Sequence, residues 1–412
     1  MTLREMEISA ATLMSGDNRS RRRVAKRLES FLSRSWIAIA NLEAEVCVGV
    51  YYAALCVLRV TSEKKAKPSP GLDISKGNPI DDCWYRGQKW LHNRQKLAAC
   101  GIGFGADAQG GKGGSIYEVT SAEDDPASPK EGTLRHAVTQ ANPLWIVFQA
   151  DMTFVLKEEL IISSYKTIDA RGAQILFNGS WGIVVQSVTH VIIHGIHVTG
   201  CQRPPGYFSA NYSRMPKRSE FDGDGIKIID SQHIWVDHCR ISYCADGLLD
   251  VTVSSNYISV TNNYFEHNRK VMLMGHSPSW VADKQMQATV AFNYFGEGAM
   301  ERMPRCRYGN FHVVNNYYWE WGVYAIGGSS APTIFSEGNY FIAGNAKQVT
   351  RRMDNSSGNW CSVNDIFLNG AYFISSGEPK NSTAYDLAKS FKALASHRIP
   401  KITSHSGPLQ LL

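Results

Sequence analysis

Between Arg302 and Arg307 the chain reads Arg-Met-Pro-Arg-Cys-Arg, three guanidiniums within six residues, with Pro304 stiffening the backbone between them. A guanidinium is a planar fork of donors matched to carboxylates, so a rigid patch of three suits a substrate that carries carboxylate groups. Upstream stand two acidic pairs, Asp222 with Asp224 inside Asp-Gly-Asp-Gly and Asp246 with Asp250 inside Asp-Gly-Leu-Leu-Asp. Residues two apart on a strand face the same way, so Asp222 and Asp224 are expected to project together, with the second pair alongside on the next coil. Four carboxylates on one face repel one another unless a hard cation lies between them, and an all-oxygen donor set favours Ca²⁺ over zinc or copper. Two other readings stand beside this one: solvated Asp-Gly turns, or the acid/base pair of a glycosidase. The glycosidase reading leaves the arginines without a task, whereas a metal site beside an arginine patch uses both groups. Lys270 lies between the acidic cluster and the arginines, a position that suits substrate contact. Asp237 and His238, in Trp-Val-Asp-His, have no serine or cysteine elbow beside them and read as a hydrogen-bonded Asp/His of the scaffold.

The elements that must position these residues announce themselves as a repeat. From about Ile161 onward a short β-rich segment, a turn and another such segment recur. Asn263, Asn293, Asn316 and Asn339 fall at one phase of this pattern, separated by 30, 23 and 23 residues. Units of that length cannot bury their apolar faces alone and must stack, which predicts a parallel β-solenoid with an asparagine repeating the same bonds at one corner of each coil. The longer inserts, chiefly Gln202 to Phe221 and His276 to Gln285, are expected to leave the solenoid as loops on one side, where binding sites gather. The glycines between Gly101 and Gly114 lack the Gly-Lys-Ser/Thr ending of a phosphate loop and read as turns.

Composition narrows the partners. The 412-residue chain carries a net charge of +6, but residues 1–76 hold 13 Lys/Arg against 8 Asp/Glu, leaving 30 against 29 for the rest. The folded part is close to neutral, which argues against nucleic acid as its main partner. Nine cysteines form no Cys-x-x-Cys or Cys/His cluster of zinc spacing; Cys83 and Cys100 bracket a compact segment that one bridge could close, and the odd total leaves at least one thiol over. Sequons at Asn178, Asn211, Asn355 and Asn381 fit a secreted glycoprotein. Residues 1–70 read as an N-terminal extension with a basic run, a short apolar run from Val46 to Leu58 and a Lys/Pro/Ser linker. The apolar run is about as long as a signal-peptide core, yet too late in the chain to be an ordinary one and too short to span a bilayer comfortably. Residues 71–412 read as one catalytic domain.

Five motifs together resemble the pectate lyases of polysaccharide lyase family 1, closest to the plant members: Asp222-Gly-Asp-Gly-Ile226, Trp235-Val-Asp-His238, Asp246-Gly-Leu-Leu-Asp250, Lys270-Val-Met-Leu-Met-Gly-His276 and Arg302-Met-Pro-Arg-Cys-Arg307. The likeness runs from Asn78 to roughly Ser376. It implies an all-β fold, a right-handed single-stranded parallel β-helix, and a calcium-dependent enzyme that cleaves 1,4-linked polygalacturonate by β-elimination. It further implies a secreted, cell-wall protein acting on pectin as a monomer, with no stable membrane insertion. Carried over position by position, Asp222, Asp224, Asp246 and Asp250 become the Ca²⁺ carboxylates, Arg302 the catalytic base, and Lys270 and Arg307 the binders of substrate carboxylates. Arg305 receives no role. A guanidinium is protonated at almost any pH, so Arg302 as base implies an alkaline optimum. The chain departs from the family pattern at Gly182, where a cysteine commonly pairs with the equivalent of Cys201, and in lacking a secretion signal over residues 1–30; Cys83 and Cys100 keep the family spacing. A polygalacturonase-like hydrolase, and a wall-binding protein without turnover, are the alternatives.

Overall fold

Each coil of the chain lays down three short strands, and each strand pairs in parallel with its equivalents one coil before and after. The computed structural model describes residues 77–85, 89–179, 181–202, 222–377, 385, 388, 391–409 and 411. Residues 1–70, the sequons at Asn211 and Asn381, and most of the Gln202 to Phe221 insert lie outside the described residues. Within them the strands form three sheets of ten, nine and nine members, every named strand pairing being parallel. A right-twisted strand returns to its own sheet by a right-handed crossover, and the result is the right-handed parallel β-helix expected from the repeat.

One nine-stranded sheet carries the chemistry-bearing motifs. Its order along the axis is Leu160–Ile162, Ile183–Gln186, Ile226–Ile229, Gly247–Thr252, Asn268–Met274, Arg305–Arg307, Ile326–Ser329 and Thr350–Arg352, with Ala299–Glu301 also pairing Asn268–Met274. Val and Ile dominate its first three strands because β-branched side chains pack well on a pleated surface. The sheet's inward members, such as Ile226, Ile228, Leu249, Val251, Met272 and Met274, are completely buried in one core that runs the length of the coil.

The predicted asparagines hold one corner. Asn263 Oδ1 accepts from the Cys239 amide at 2.8 Å, and Asn293 Oδ1 accepts from the Asn263 amide at 2.9 Å. Asn316 and Asn339 continue the same ladder, which ends on the Asp365 carboxylate. Each amide side chain also donates to a strand carbonyl of the preceding coil, for example Asn316 Nδ2 to Val290 O at 2.8 Å. The residue before each rung turns the corner at positive φ: His238 at 51°, Asn262 at 55°, Phe292 at 57° and Asn315 at 55°. That conformation costs a non-glycine residue about 1 kcal/mol or more, and the buried ladder bonds offset it.

Both ends of the described chain dock on this scaffold. Asn78 caps the helix Pro79–Trp84, its Oδ1 accepting from the Ile80 amide at 3.0 Å, and its Nδ2 donates to Asn262 Oδ1 at 2.6 Å. Cys83 and Cys100 are bridged by a disulfide. The glycine run then lies flat on the ten-stranded sheet. Sheet hydroxyls accept its amides, as Thr167 Oγ1 does from Gly111 at 2.9 Å, and a Cβ at Gly111 would lie 1.9 Å from Leu144 O, so only glycine fits.

Asp237 and His238 belong to this scaffold, but not as a mutual pair. Asp237 accepts from His194 Nδ1 at 2.9 Å and Asn262 Nδ2 at 2.9 Å. His238 reaches instead to Asp81 Oδ1 at 3.0 Å through Nε2 and donates from Nδ1 to Gly407 O at 2.9 Å. Alternation puts adjacent residues on opposite faces, and the positive φ at His238 swings its ring toward the two chain ends. Burial alone would discharge that ring, but the Asp81 and Asp237 carboxylates outweigh it and raise its pKa to about 9. A histidine raised from 6.5 to about 9 contributes stability that is complete below about pH 6.5 and lost as pH rises through about 9. The melting temperature of Asp81→Asn should therefore fall well below that of the parent at pH 6, with the gap closing between pH 6.5 and 9. A gap independent of pH would show that His238 does not clamp the chain ends as a cation.

Candidate active site

The strand order stacks the sequence motifs one coil above another. Gly247 pairs with Lys270 and Lys270 with Glu301, while Asp250 pairs with Leu273 and Leu273 with Arg305. The Asp222 pair, the Asp246 pair, Lys270 and the arginine stretch thus come from four neighbouring levels of one sheet.

Asp222 and Asp224 do not stand on the strand, contrary to the strand reading of their spacing. The strand begins at Ile226, and the two aspartates occupy the extended segment leading into it, with Gly223 at φ 94°. The carboxylates converge all the same. Asp222, Asp224 and Asp246 each offer an oxygen, and the three oxygens lie within 4.8 Å of one another. Asp250 lies inside the strand Gly247–Thr252, 7 % exposed, its Oδ1 accepting from the Leu273 amide at 3.1 Å. It is not one of that tight group of three. Gly247 explains how close the set can come: a Cβ there would lie 2.4 Å from Asp250 Oδ1 and 2.9 Å from Asp224 Oδ1. The glycine leaves the space that both carboxylates use.

Burial and mutual repulsion dominate the electrostatics. Burial raises the Asp224 pKa well above the ordinary carboxylate range, and the neighbouring Asp250 adds to it. Burial likewise raises Asp250 to about 6. Two lysines answer this charge. Lys270 Nζ forms an ion pair with Asp246 Oδ1. Lys227 Nζ lies 2.6 Å from each oxygen of Asp222 and 3.0 Å from Asp224 Oδ2. Asp224 Oδ1 accepts from the Gly247 amide at 2.7 Å, and its buried Oδ2 has the Lys227 ammonium, 3.0 Å away, as its counter-charge. Three converging carboxylates whose oxygens lie within 4.8 Å of one another fit a hard divalent cation of oxygen preference.

The arginines flank this cluster. Arg302 sits at φ 68° between two strands, its carbonyl accepting from the Met272 amide at 2.7 Å, one level from Lys270. Arg307 is fastened from Nη1 to Gly275 O at 2.9 Å and His276 O at 2.8 Å. Burial, with Arg305 and Arg302 nearby, lowers the Arg307 pKa to about 10. Arg305 is lowered too, by burial and then by Arg302 despite Tyr324. The Nε atoms of Arg302, Arg305 and Arg307 are all buried and without a hydrogen-bond partner. Unsatisfied buried donors on three neighbouring cations are costly, and the positive charge the three share suits an anionic ligand. The predicted insert His276 to Gln285 is a loop ending in the 3₁₀ turn Val281–Gln285. Asp283, fully buried, pins it by accepting from the Ser254 amide at 2.7 Å and the His276 amide at 2.6 Å.

Comparison with known proteins decides the family. The pectate lyase family model matches residues 91–407. Probable pectate lyase 5 of Arabidopsis thaliana is 51% identical over 348 residues, covering 82% of this chain and 85% of that protein. This chain belongs to the pectate lyase family. Probable pectate lyase 22 of the same plant is 49% identical over 344 residues, covering 81% of this chain and 80% of its own length. Among solved structures, Jun a 1, the major allergen from cedar pollen, superposes with TM-score 0.77 at 42% identity, covering 81% of this chain and all of that one. A Bacillus pectate lyase in complex with trigalacturonate shares the fold at TM-score 0.54 and 19% identity, over 76% of this chain and 99% of its own.

Gly182 is pressed against the segment that carries Asp224, where a Cβ would lie 2.1 Å from Asp224 O. Cys201 is buried and free. Sequence reasoning missed Lys227, Gly247 and Asp283. For Lys227 the signal existed: the Ile-Lys-Ile-Ile alternation turns it to the outer face, and it precedes Asp250 by 23 residues, the repeat length seen in the asparagines. Gly247→Ala should preserve the fold yet weaken Ca²⁺ binding by about ten-fold or more, because the methyl drives apart the two carboxylates that crowd it. Calorimetric titration beside a melting curve measures both, and unchanged affinity would refute this role for the glycine.

Proposed function

We infer that residues 71–412 form a pectate lyase domain that cleaves 1,4-linked polygalacturonate by β-elimination in a calcium-dependent reaction. The observation that carries this reading is that Lys270, Arg305 and Arg307 stand on the site sheet, with Arg302 in the bend before the last two, on levels next to the three carboxylates that lead into the preceding strands. A neutral glycan has no use for such a surface, whereas a polyuronate has a carboxylate on every sugar.

Asp222, Asp224 and Asp246, with Asp250 beside them, would hold Ca²⁺. When bound, the ion supplies positive charge to a uronate carboxylate and so stabilises the negative charge that develops next to C5. Lys270 and Arg307 bind and orient carboxylates of the same chain. Arg302 takes the proton from C5; the electron pair forms the C4–C5 double bond; the C4–O bond breaks, and the departing oxygen is protonated by solvent. The products are a new reducing end and a 4,5-unsaturated oligogalacturonate. The Cys83–Cys100 bridge and the exposed sequon asparagines Asn178 and Asn355 support a secreted enzyme of the cell wall; on pectin it would act as a monomer. No helix of the described residues is long and apolar enough to cross a membrane.

Arg302→Lys should fold and bind Ca²⁺ like the parent but lose at least about 10²-fold in turnover, since proton removal depends on a group held at one place. Near-parental turnover would move the base elsewhere. The rate should peak on the alkaline side of neutrality, as a guanidinium base requires, and fall above about pH 10 as Arg307 loses its charge. A maximum below neutrality would rule out proton abstraction by arginine. Mass spectrometry of the products separates the reactions: oligomers that have gained water at each cut would assign the carboxylates to a hydrolase instead.

A further inference from the structure

Lys227 is a partly buried charge at the carboxylate cluster that the proposed chemistry does not use. Its Cα pairs in register with Val184 on one side and Asp250 on the other, in the middle of the site sheet. The neighbouring Ile226 and Ile228 face the core and are completely buried, which turns Lys227 to the outer face. Its side chain, 18% exposed, ends in an ammonium held by both oxygens of Asp222 at 2.6 Å and by Asp224 Oδ2 at 3.0 Å. Three oxygens on one nitrogen is the arrangement of a cation in a carboxylate site, except that this cation is covalently attached to the chain. Ca²⁺ takes its oxygens at roughly 2.3–2.6 Å, so it needs the same lone pairs that the ammonium occupies. Both cannot hold Asp222 through both oxygens and Asp224 through Oδ2 at once.

We propose that Lys227 is a tethered competitor for the calcium site, so that Ca²⁺ enters this enzyme by displacing the ammonium from Asp222 and Asp224. The inference rests on the calcium reading of the carboxylate cluster and adds what sets its affinity. Two consequences follow from charge alone. Without divalent cations Lys227 and Lys270 offset part of the cluster's charge, and the chain stays folded with the site closed by its own side chains. With Ca²⁺ present, exchange occurs only at concentrations high enough to overcome the local ammonium. The long flexible stem of lysine lets the head swing into solvent without moving the strand. Asp222, with its carboxylate 38% exposed, lies on the open side through which the exchange takes place.

Calorimetric Ca²⁺ titration of the full chain and of Lys227→Met, without substrate, tests this. Methionine keeps most of the stem and removes the charge. The variant should bind Ca²⁺ at least about ten-fold more tightly than the parent. It should also melt at lower temperature in chelator, where Asp222, Asp224 and Asp250 repel unopposed, and regain stability on adding Ca²⁺. Lys227→Arg, which keeps a cation, should stay close to the parent and controls for fold. Equal affinity in parent and Lys227→Met would overturn the competition while leaving the calcium site standing. Absence of Ca²⁺ binding by both folded proteins would overturn the calcium reading and the competition with it.

Discussion

Repulsion among carboxylates is the constraint around which this molecule is arranged. Two like charges about 4–5 Å apart at an effective dielectric near 20 oppose each other by on the order of 3–4 kcal/mol, and here at least three are held that close. Nothing in a flexible loop would tolerate that. The parallel coil does, because the ladder of backbone hydrogen bonds fixes each level against the next. Gly247 supplies the space, the Gly247 and Leu273 amides each fasten one oxygen, and two lysines offset part of the charge. Removal of the lysines from the cluster, by a cation on one side and a polyuronate on the other, converts the resting arrangement into a working one.

The rest of the fold makes such rigidity affordable to a chain of short strands. An asparagine ladder stitches one corner of four successive coils, and each rung is reached through a backbone bend that a non-glycine residue adopts only at a cost. Stacked rings continue the same stitching inside the core, from Phe265 through Phe295, Tyr318 and Phe341 to Phe367. The ends of the described chain meet at His238, which joins the capping helix to the segment at Gly407. The active sheet is thus held level to level by backbone bonds, and the partly exposed lysine heads are the parts with room to adjust.

Much of this was legible before any coordinates. The separation of the asparagines at 23 residues marked the coil, and the same step links Asp224 to Gly247 and Lys270, and Lys227 to Asp250 and Leu273. A repeat length taken from one corner thus places residues on another face. What could not be read was local. The aspartates of Asp-Gly-Asp-Gly lie ahead of the strand rather than on it, since the strand begins only where the apolar alternation does, at Ile226. Asp237 and His238 are adjacent in sequence yet bond to His194 and Asp81, partners 43 and 157 residues away, which no local pattern specifies. Lys227 was overlooked because a single lysine in an apolar run reads as solvated surface; only the neighbouring coil turns it into a charge inside the site.

The reaction and the metal site stand or fall together in one absorbance trace. The full chain is incubated with polygalacturonate at alkaline pH, first with added Ca²⁺ and then with excess chelator, while the near-ultraviolet band of a 4,5-unsaturated uronate is followed. A steady rise with calcium that stops on chelation, and resumes when calcium is restored, is the predicted result. A flat trace from folded protein under all three conditions would contradict calcium-dependent elimination and leave the carboxylates and arginines as a pectin-binding surface without turnover.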